Sequence, residues 1–375
     1  FHLVPSGLIH EKVTCVIGNG CVVHPMQFKK EIEELIAAGV DSDCLCRLYV
    51  SDAAHVVTYA HQALDRKNGK GIGTTGKGIG PCYSSKADRS GIRICDLIGD
   101  PVKLKERHTA LMNKLYPGGY NGEFDYELDE WTSLRSFLYP MVANTAEILN
   151  SGLKFGDKIV IEGANATLLD IDFGSYPYVT SSSCTSGGAC TGLGLPPSSI
   201  STVTGVAKAY LTRVGEGCVP TEDFGPNGAI LQEKGREFGV TTGRKRRCGW
   251  FDVVLFKHSA MINGFTGWVM TKLDILSEFE LIPVGFAYSV DGVRLHSFPT
   301  DINVLERVVV EYIYMDGWKG VDISSVRTFE ELPANAQAYV RKLEELVFVP
   351  VLSVGVGPNR EQTITVPKLK PLVWF

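Results

Sequence analysis

The sequence predicts an α/β fold, a single domain over residues 1–375 with a mainly parallel central sheet flanked by helices. Strand-like apolar runs alternate with helical patterns, as the crossovers of a parallel sheet require. No linker, internal repeat or low-complexity segment divides the 375 residues. With 44% apolar and 21% charged residues, a chain of this length can bury a large core.

Val13 to Ile17 reads as a short strand ending at Gly18-Asn19-Gly20. The next segment places Phe28, Ile32, Leu35 and Ile36 on one helical face, and Gly39 stops it. Lys158 to Ile161 is a second strand, closed by Glu162-Gly163, and residues 181–199 read as an ordered Ser/Gly/Thr-rich loop. Trp268 to Met270 is a third strand, running into Thr271-Lys272-Leu273-Asp274. Phe286 to Tyr288 and Val293 to Leu295 flank an Asp291-Gly292 turn, a hairpin signal. After Pro333, Ala334 to Leu346 is amphipathic with helical spacing, and Val347 to Val354 is the final strand.

Composition excludes several classes. A net charge of −5 argues against general nucleic-acid binding. No uninterrupted apolar stretch reaches membrane-spanning length, and no signal-peptide pattern opens the sequence. The ten cysteines form no C-x-x-C pair and the eight histidines no H-E-x-x-H, so a zinc site is not expected. Scattered thiols of this kind fit a reduced, cytoplasmic protein. Phe1 opens inside a strand-to-turn segment, Phe1 to Gly7, so the sequence reads as a fragment.

The densest chemistry lies at Val240-Thr241-Thr242-Gly243-Arg244-Lys245-Arg246-Arg247, where four cations follow two hydroxyls and a glycine. Guanidiniums grip carboxylates and phosphates with two parallel donors, and the hydroxyls and glycine suit a small-anion loop. A solvated basic turn, or a localisation or nucleic-acid run, is the alternative. Gly71 to Gly78 reads G-I-G-T-T-G-K-G, close to a P-loop, but Gly78 stands where a magnesium-binding hydroxyl belongs and no buried strand precedes it. The loop can still hold phosphate through backbone N–H groups and Thr74 and Thr75, or be a plain surface loop. Tyr83, Lys86, Arg89 and Arg93 follow it. Thr271 to Asp274 has the form T-K-x-D, in which the Asp accepts from both N1–H and the N2 amino group of guanine, donors that adenine lacks. Asn165, after a strand, could bond a base or a sugar, and Tyr176 to Ser182 adds hydroxyls.

Together these segments resemble the adenylosuccinate synthetase family, in order and across nearly the whole chain. The resemblance rests on H-L-V-P-S-G at 2–7, I-G-T-T-G-K-G-I-G-P at 72–81, E-G-A-N-A-T-L-L-D-I-D at 162–172 and Y-P-Y-V-T-S-S at 176–182. It continues in T-R-V-G-E-G at 212–217, T-T-G-R-K-R-R at 241–247, T-K-L-D at 271–274 and G-V-G-P at 355–358, with Asn165 and Gly355 similar to the eukaryotic branch. The resemblance implies a P-loop-NTPase-like fold and a cytoplasmic homodimer. It implies ligation of IMP and L-aspartate to adenylosuccinate, with GTP as co-substrate and Mg2+ as metal, through a 6-phosphoryl-IMP intermediate.

Carried over by residue, Thr75, Asn165 and Thr180 would hold IMP, Val214 would line its ribose pocket, and Arg89 would reach the IMP phosphate of the neighbouring subunit. Lys86 would support that contact, as the sole candidate for a catalytic role. Val240, Thr241, Thr242, Gly243, Arg244, Lys245 and Arg246 would form the aspartate loop. Arg244 would also touch the IMP ribose, and Arg246 would contact GTP. Lys272, Leu273 and Asp274 would read guanine, with Gly355, Val356 and Gly357 closing over it. The family's opening strand, G-D-E-G-K-G-K loop and G-G-x-N-A-G-H-T segment carry the Asp base, the magnesium ligands and the His acid. They do not occur in this sequence, and none of His2, His10 or His24 stands in such a context. The expectation is therefore a first strand and phosphate loop missing upstream of Phe1 and a chain that does not catalyse as given. The alternative is a non-catalytic nucleotide-binding homologue.

Overall fold

The computed structural model describes residues 1–68, 74–239 and 243–368. Their contacts divide the chain into two compact units. One comprises residues 1–166 and 180–199, the other 167–179 and 200–375. The chain passes between them three times, so neither is a contiguous stretch of sequence.

In the first unit, Cys15–Ile17, Leu48–Ser51 and Val142–Ala143 form a parallel sheet, with Ile17 opposite Val50 and Val50 opposite Val142. The helix Pro25–Ala37 links the first two strands. It starts with proline at its first turn, buries Phe28 and Ile32, and is followed by Gly39 at φ +102°, where a side chain would be strained. The helix Glu127–Leu138 buries Trp131, Leu134 and Leu138 in the same core. The helix Ile79–Ala87 buries Cys82 and Ser85, with Cys82 packed against Val22 and Val57.

Three buried imidazoles in this unit, His24, His55 and His61, are each pushed down to about 4, burial being the largest cause in every case. An unfolded imidazole titrates near 6.5. These groups therefore contribute stability that is present above about pH 6.5 and lost as pH falls towards 4, since unfolding then takes up protons. If all three act together, stability drops by roughly 4 kcal/mol per pH unit within that window. The thermal midpoint should fall clearly between pH 7 and pH 5, where most carboxylates are still ionised. An unchanged midpoint would refute it.

In the second unit, Gly267–Thr271 pairs in parallel with both Thr204–Lys208 and Val351–Gly355, and Thr363–Thr365 adds antiparallel. Trp268 and Met270 are wholly buried on this central strand. Each large apolar side chain buried in this way contributes about 1.5–3 kcal/mol. A second sheet pairs Leu281–Val290 with Val309–Asp316, Val293–Arg294 and Phe251–Asp252. Asp291 and Gly292 both take positive φ in the expected hairpin turn. The helix Ala334–Val347 docks through Tyr339, whose hydroxyl donates to the Ala209 carbonyl at 2.8 Å.

The α/β class and the mainly parallel pairing agree with the expectation, but the described strands lie in several small sheets rather than one central sheet. Three elements differ. Residues 181–199, expected to be a loop, contain the α-helix Ser186–Leu193, which ends at Gly194 in the left-handed conformation. Residues 158–166 contain no strand, because a strand exists only by pairing and no described strand pairs there. The last helix extends to Val347, and the strand after it starts at Val351.

Candidate active site

In the second unit, Thr271 lies opposite Lys208 and Met270 opposite Val354, so three parallel strands end at one edge. Ligands of open α/β sheets bind at such carboxyl ends. Lys272 leaves this edge in the left-handed conformation, φ +61°, at the start of the 3-10 helix Leu273–Glu278. Its Nζ donates to the Gly235 carbonyl and lies 3.5 Å from Glu237 Oε1. Leu273 is fully buried and anchors the turn. Asp274 is partly buried. Burial raises its carboxyl above the usual range, and Lys272 opposes the shift. Gly355 closes its strand, and the Val356 amide donates to the Gln362 carbonyl at 2.8 Å. At Gly357 a Cβ would stand 2.4 Å from the Gln362 side chain, so a larger residue would displace that side chain from its hydrogen bonds to Asn359 and Ser324.

The cationic run divides in two. Arg247 donates Nε to Glu222 at 2.8 Å and Nη1 to the Gly217 carbonyl at 2.7 Å. Arg246 donates to Glu237 Oε2 at 2.7 Å, and Lys208 reaches the same oxygen at 2.6 Å. Burial pushes the Glu237 carboxyl up, but hydrogen bonds from Lys208, Tyr210 and Arg246 outweigh it and bring it to about 2. Arg244 and Lys245 are exposed. Gly243, at φ +64°, donates to the Gly239 carbonyl at 2.8 Å, and the Gly239 amide donates to the Arg244 carbonyl at 2.8 Å, so these residues form a closed neck. Val240, Thr241 and Thr242 lie outside the described residues. Val214 is an exposed apolar side chain next to Arg213, which donates to the Tyr178 and Glu216 carbonyls at 2.7 Å.

The first unit carries the other residues singled out. Lys86 Nζ donates to the Asn19 carbonyl at 3.2 Å and lies 5.8 Å from the Tyr83 ring centroid. Burial lowers its pKa. Arg89 is exposed at φ +62°, just past the helix end, and Asn165 is exposed at φ +65°. Thr75 is exposed and Thr180 half-buried. The glycine loop that contains Thr75 is partly committed: Thr74 Oγ1 and the Gly78 amide both donate to Asp65, at 2.7 and 2.8 Å. Residues 69–73 of that loop lie outside the described residues. An open cavity of about 420 Å3 is lined by Gly80, Ser84, Ser85, Ser90, Lys114 and Ser181.

Six non-glycine residues among those described take positive φ, and three of them are Arg89, Asn165 and Lys272. Such conformations cost about 1–3 kcal/mol each and gather at functional sites. Sequence reasoning missed Glu222, Glu237 and Asp65. Their partners in the glycine loop and the cationic run lie nine to 25 residues away, so no local pattern marked them.

A family model for adenylosuccinate synthetase matches residues 1–364. The adenylosuccinate synthetase of Monosiga brevicollis is 50% identical over 98% of this chain and 87% of its own length. That of Saccharomyces cerevisiae is 47% identical over 97% of this chain and 87% of its own. A solved structure of fully ligated adenylosuccinate synthetase from Plasmodium falciparum superposes with a TM-score of 0.92 at 38% identity, covering 98% of this chain and 88% of that one. Motif order, fold and identity thus agree over nearly the whole length, and the chain belongs to the adenylosuccinate synthetase family.

Proposed function

We propose that this chain, a ligase by family, joins IMP and L-aspartate into adenylosuccinate at the expense of GTP through a 6-phosphoryl-IMP intermediate. The observation that carries the nucleotide half is the shared strand edge, where Lys272 meets the Glu237 that also holds Arg246, with Asp274 two residues further on and Gly355 ending the neighbouring strand. The oxygen on C6 of hypoxanthine is a poor leaving group. Transfer of the γ-phosphoryl group of GTP to that oxygen makes it a good one. The aspartate amine then attacks C6, the C6–O bond breaks and phosphate departs. Such a transfer rests on positioning and charge neutralisation.

Asp274 and Lys272 read guanine, and Leu273 anchors them from the core. Gly355, Val356 and Gly357 close the pocket, and Arg246 faces GTP. Thr241, Thr242 and Arg244 take the aspartate carboxylates, within a loop from Val240 through Gly243 and Lys245. Thr75, Asn165 and Thr180 hold IMP, and Val214 lines its ribose. Arg89 acts in a homodimer on the partner's IMP phosphate, and Lys86 fixes the turn at Asn19 behind it. The family's metal is Mg2+. Among the described residues no group of three or more His, Cys, Asp or Glu side chains could hold one. None of the ten cysteines is joined in a disulfide among the described residues, which supports a reducing compartment, the cytoplasm. No helix among the described residues is long and apolar enough to cross a membrane.

The family match over residues 1–364 lends no support to the expectation of an inactive chain, and it does not favour a non-catalytic homologue. The deciding assay is phosphate release from GTP. It should require IMP and aspartate together, with adenylosuccinate formed in equal amount. Release that ignores aspartate, or equal turnover with ATP, would overturn the reading.

A further inference from the structure

We propose that Glu237 is a positioning residue that sets both Lys272 and Arg246 for the nucleotide, an inference that rests on the guanine reading of Lys272 and Asp274. The Glu237 side chain is 0% exposed, and its two oxygens serve different partners. Oε1 accepts from the Tyr210 hydroxyl at 2.7 Å and faces Lys272 Nζ at 3.5 Å. Oε2 accepts from Lys208 at 2.6 Å and Arg246 at 2.7 Å. One carboxylate thus meets three cations drawn from a strand end, the exit of the cationic loop and the T-K-x-D segment. The cluster stays net positive with Glu237 ionised, as suits a neighbour of phosphate.

The backbone is equally constrained. The Glu237 amide donates to the Gln232 carbonyl at 2.9 Å, and its own carbonyl accepts from the Arg246 amide at 2.9 Å. Arg236, just before it, and Lys272, its partner, both take positive φ. Strained residues persist only where the surroundings over-determine them. A carboxylate held from both sides in this way fixes the two cations relative to each other, so that base and phosphates meet a preformed arrangement.

The test compares KM for each substrate in Glu237→Gln, Glu237→Asp and Tyr210→Phe proteins. Glu237→Gln keeps the shape but removes the charge, and should raise KM for GTP about tenfold while KM for IMP stays within about twofold. Glu237→Asp keeps the charge with a shorter reach and should recover part of the loss. Tyr210→Phe frees only the Lys272-facing oxygen and should raise KM for GTP about threefold. If Glu237→Gln does not fold, as judged by its melting curve, Tyr210→Phe decides. An unchanged KM for GTP in a folded variant, or equal rises for all three substrates, overturns the proposal. Asp274→Asn is the control. If it too leaves GTP use intact, the guanine reading falls with the proposal, whereas a strong Asp274 effect beside a silent Glu237 removes the proposal alone.

Discussion

Replacing Arg244 with leucine is expected to raise KM for aspartate about 10- to 100-fold, the cost of losing a charge-assisted hydrogen-bonding group. KM for GTP should move far less. In the run, Arg246 and Arg247 lie against Glu237 and Glu222, and Arg244 is exposed just after the neck at Gly239 and Gly243. Its guanidinium can meet a carboxylate with two parallel N–H donors, which leucine lacks and lysine reproduces only as a point charge. Arg244→Lys should therefore fall between wild type and leucine. A leucine variant with wild-type KM for aspartate would remove Arg244 from the aspartate site.

The division of the run also shows where sequence reading stops. Four adjacent cations suggested an excess of charge awaiting an external anion. Two of them find carboxylates inside the fold, nine and 25 residues away in sequence. Proximity of that kind is a tertiary fact, and no local pattern encodes it. The reverse holds for the Asp291-Gly292 hairpin and the helix Pro25–Ala37. There the turn residues, the proline at the helix start and the apolar face act within a few positions, and the structure follows them. The segment 158–161 has an apolar strand composition but no partner strand among the described residues, so local propensity alone does not make it one. At the candidate site, residue types were legible at Arg89, Asn165 and Lys272. Their left-handed backbones were not: Arg and Lys seldom adopt that conformation, and Asn tolerates it at many positions without marking which one uses it.

Asp274→Asn is expected to cost the most in nucleotide use, raising KM for GTP about 100-fold or more, because a buried polar contact is left mismatched. Guanine presents two donors, N1–H and the N2 amino group, and a carboxylate accepts both. An amide can accept one and turns its own NH2 towards the other. Xanthine carries a carbonyl at C2 in place of the amino group, so the same amide can donate to it, and the variant should gain activity with XTP. Loss through misfolding cannot produce that gain. The pH dependence has a definite sign. Burial raises the Asp274 carboxyl and Lys272 opposes it, with the net shift upward. The proposed guanine contact needs the ionised form, so on acidification KM for GTP should begin to rise at a pH above the usual carboxylate range. In Asp274→Asn that feature should disappear, since the amide does not titrate. Wild-type GTP kinetics in a folded Asp274→Asn protein, with no use of XTP, would show that this strand edge does not read the base.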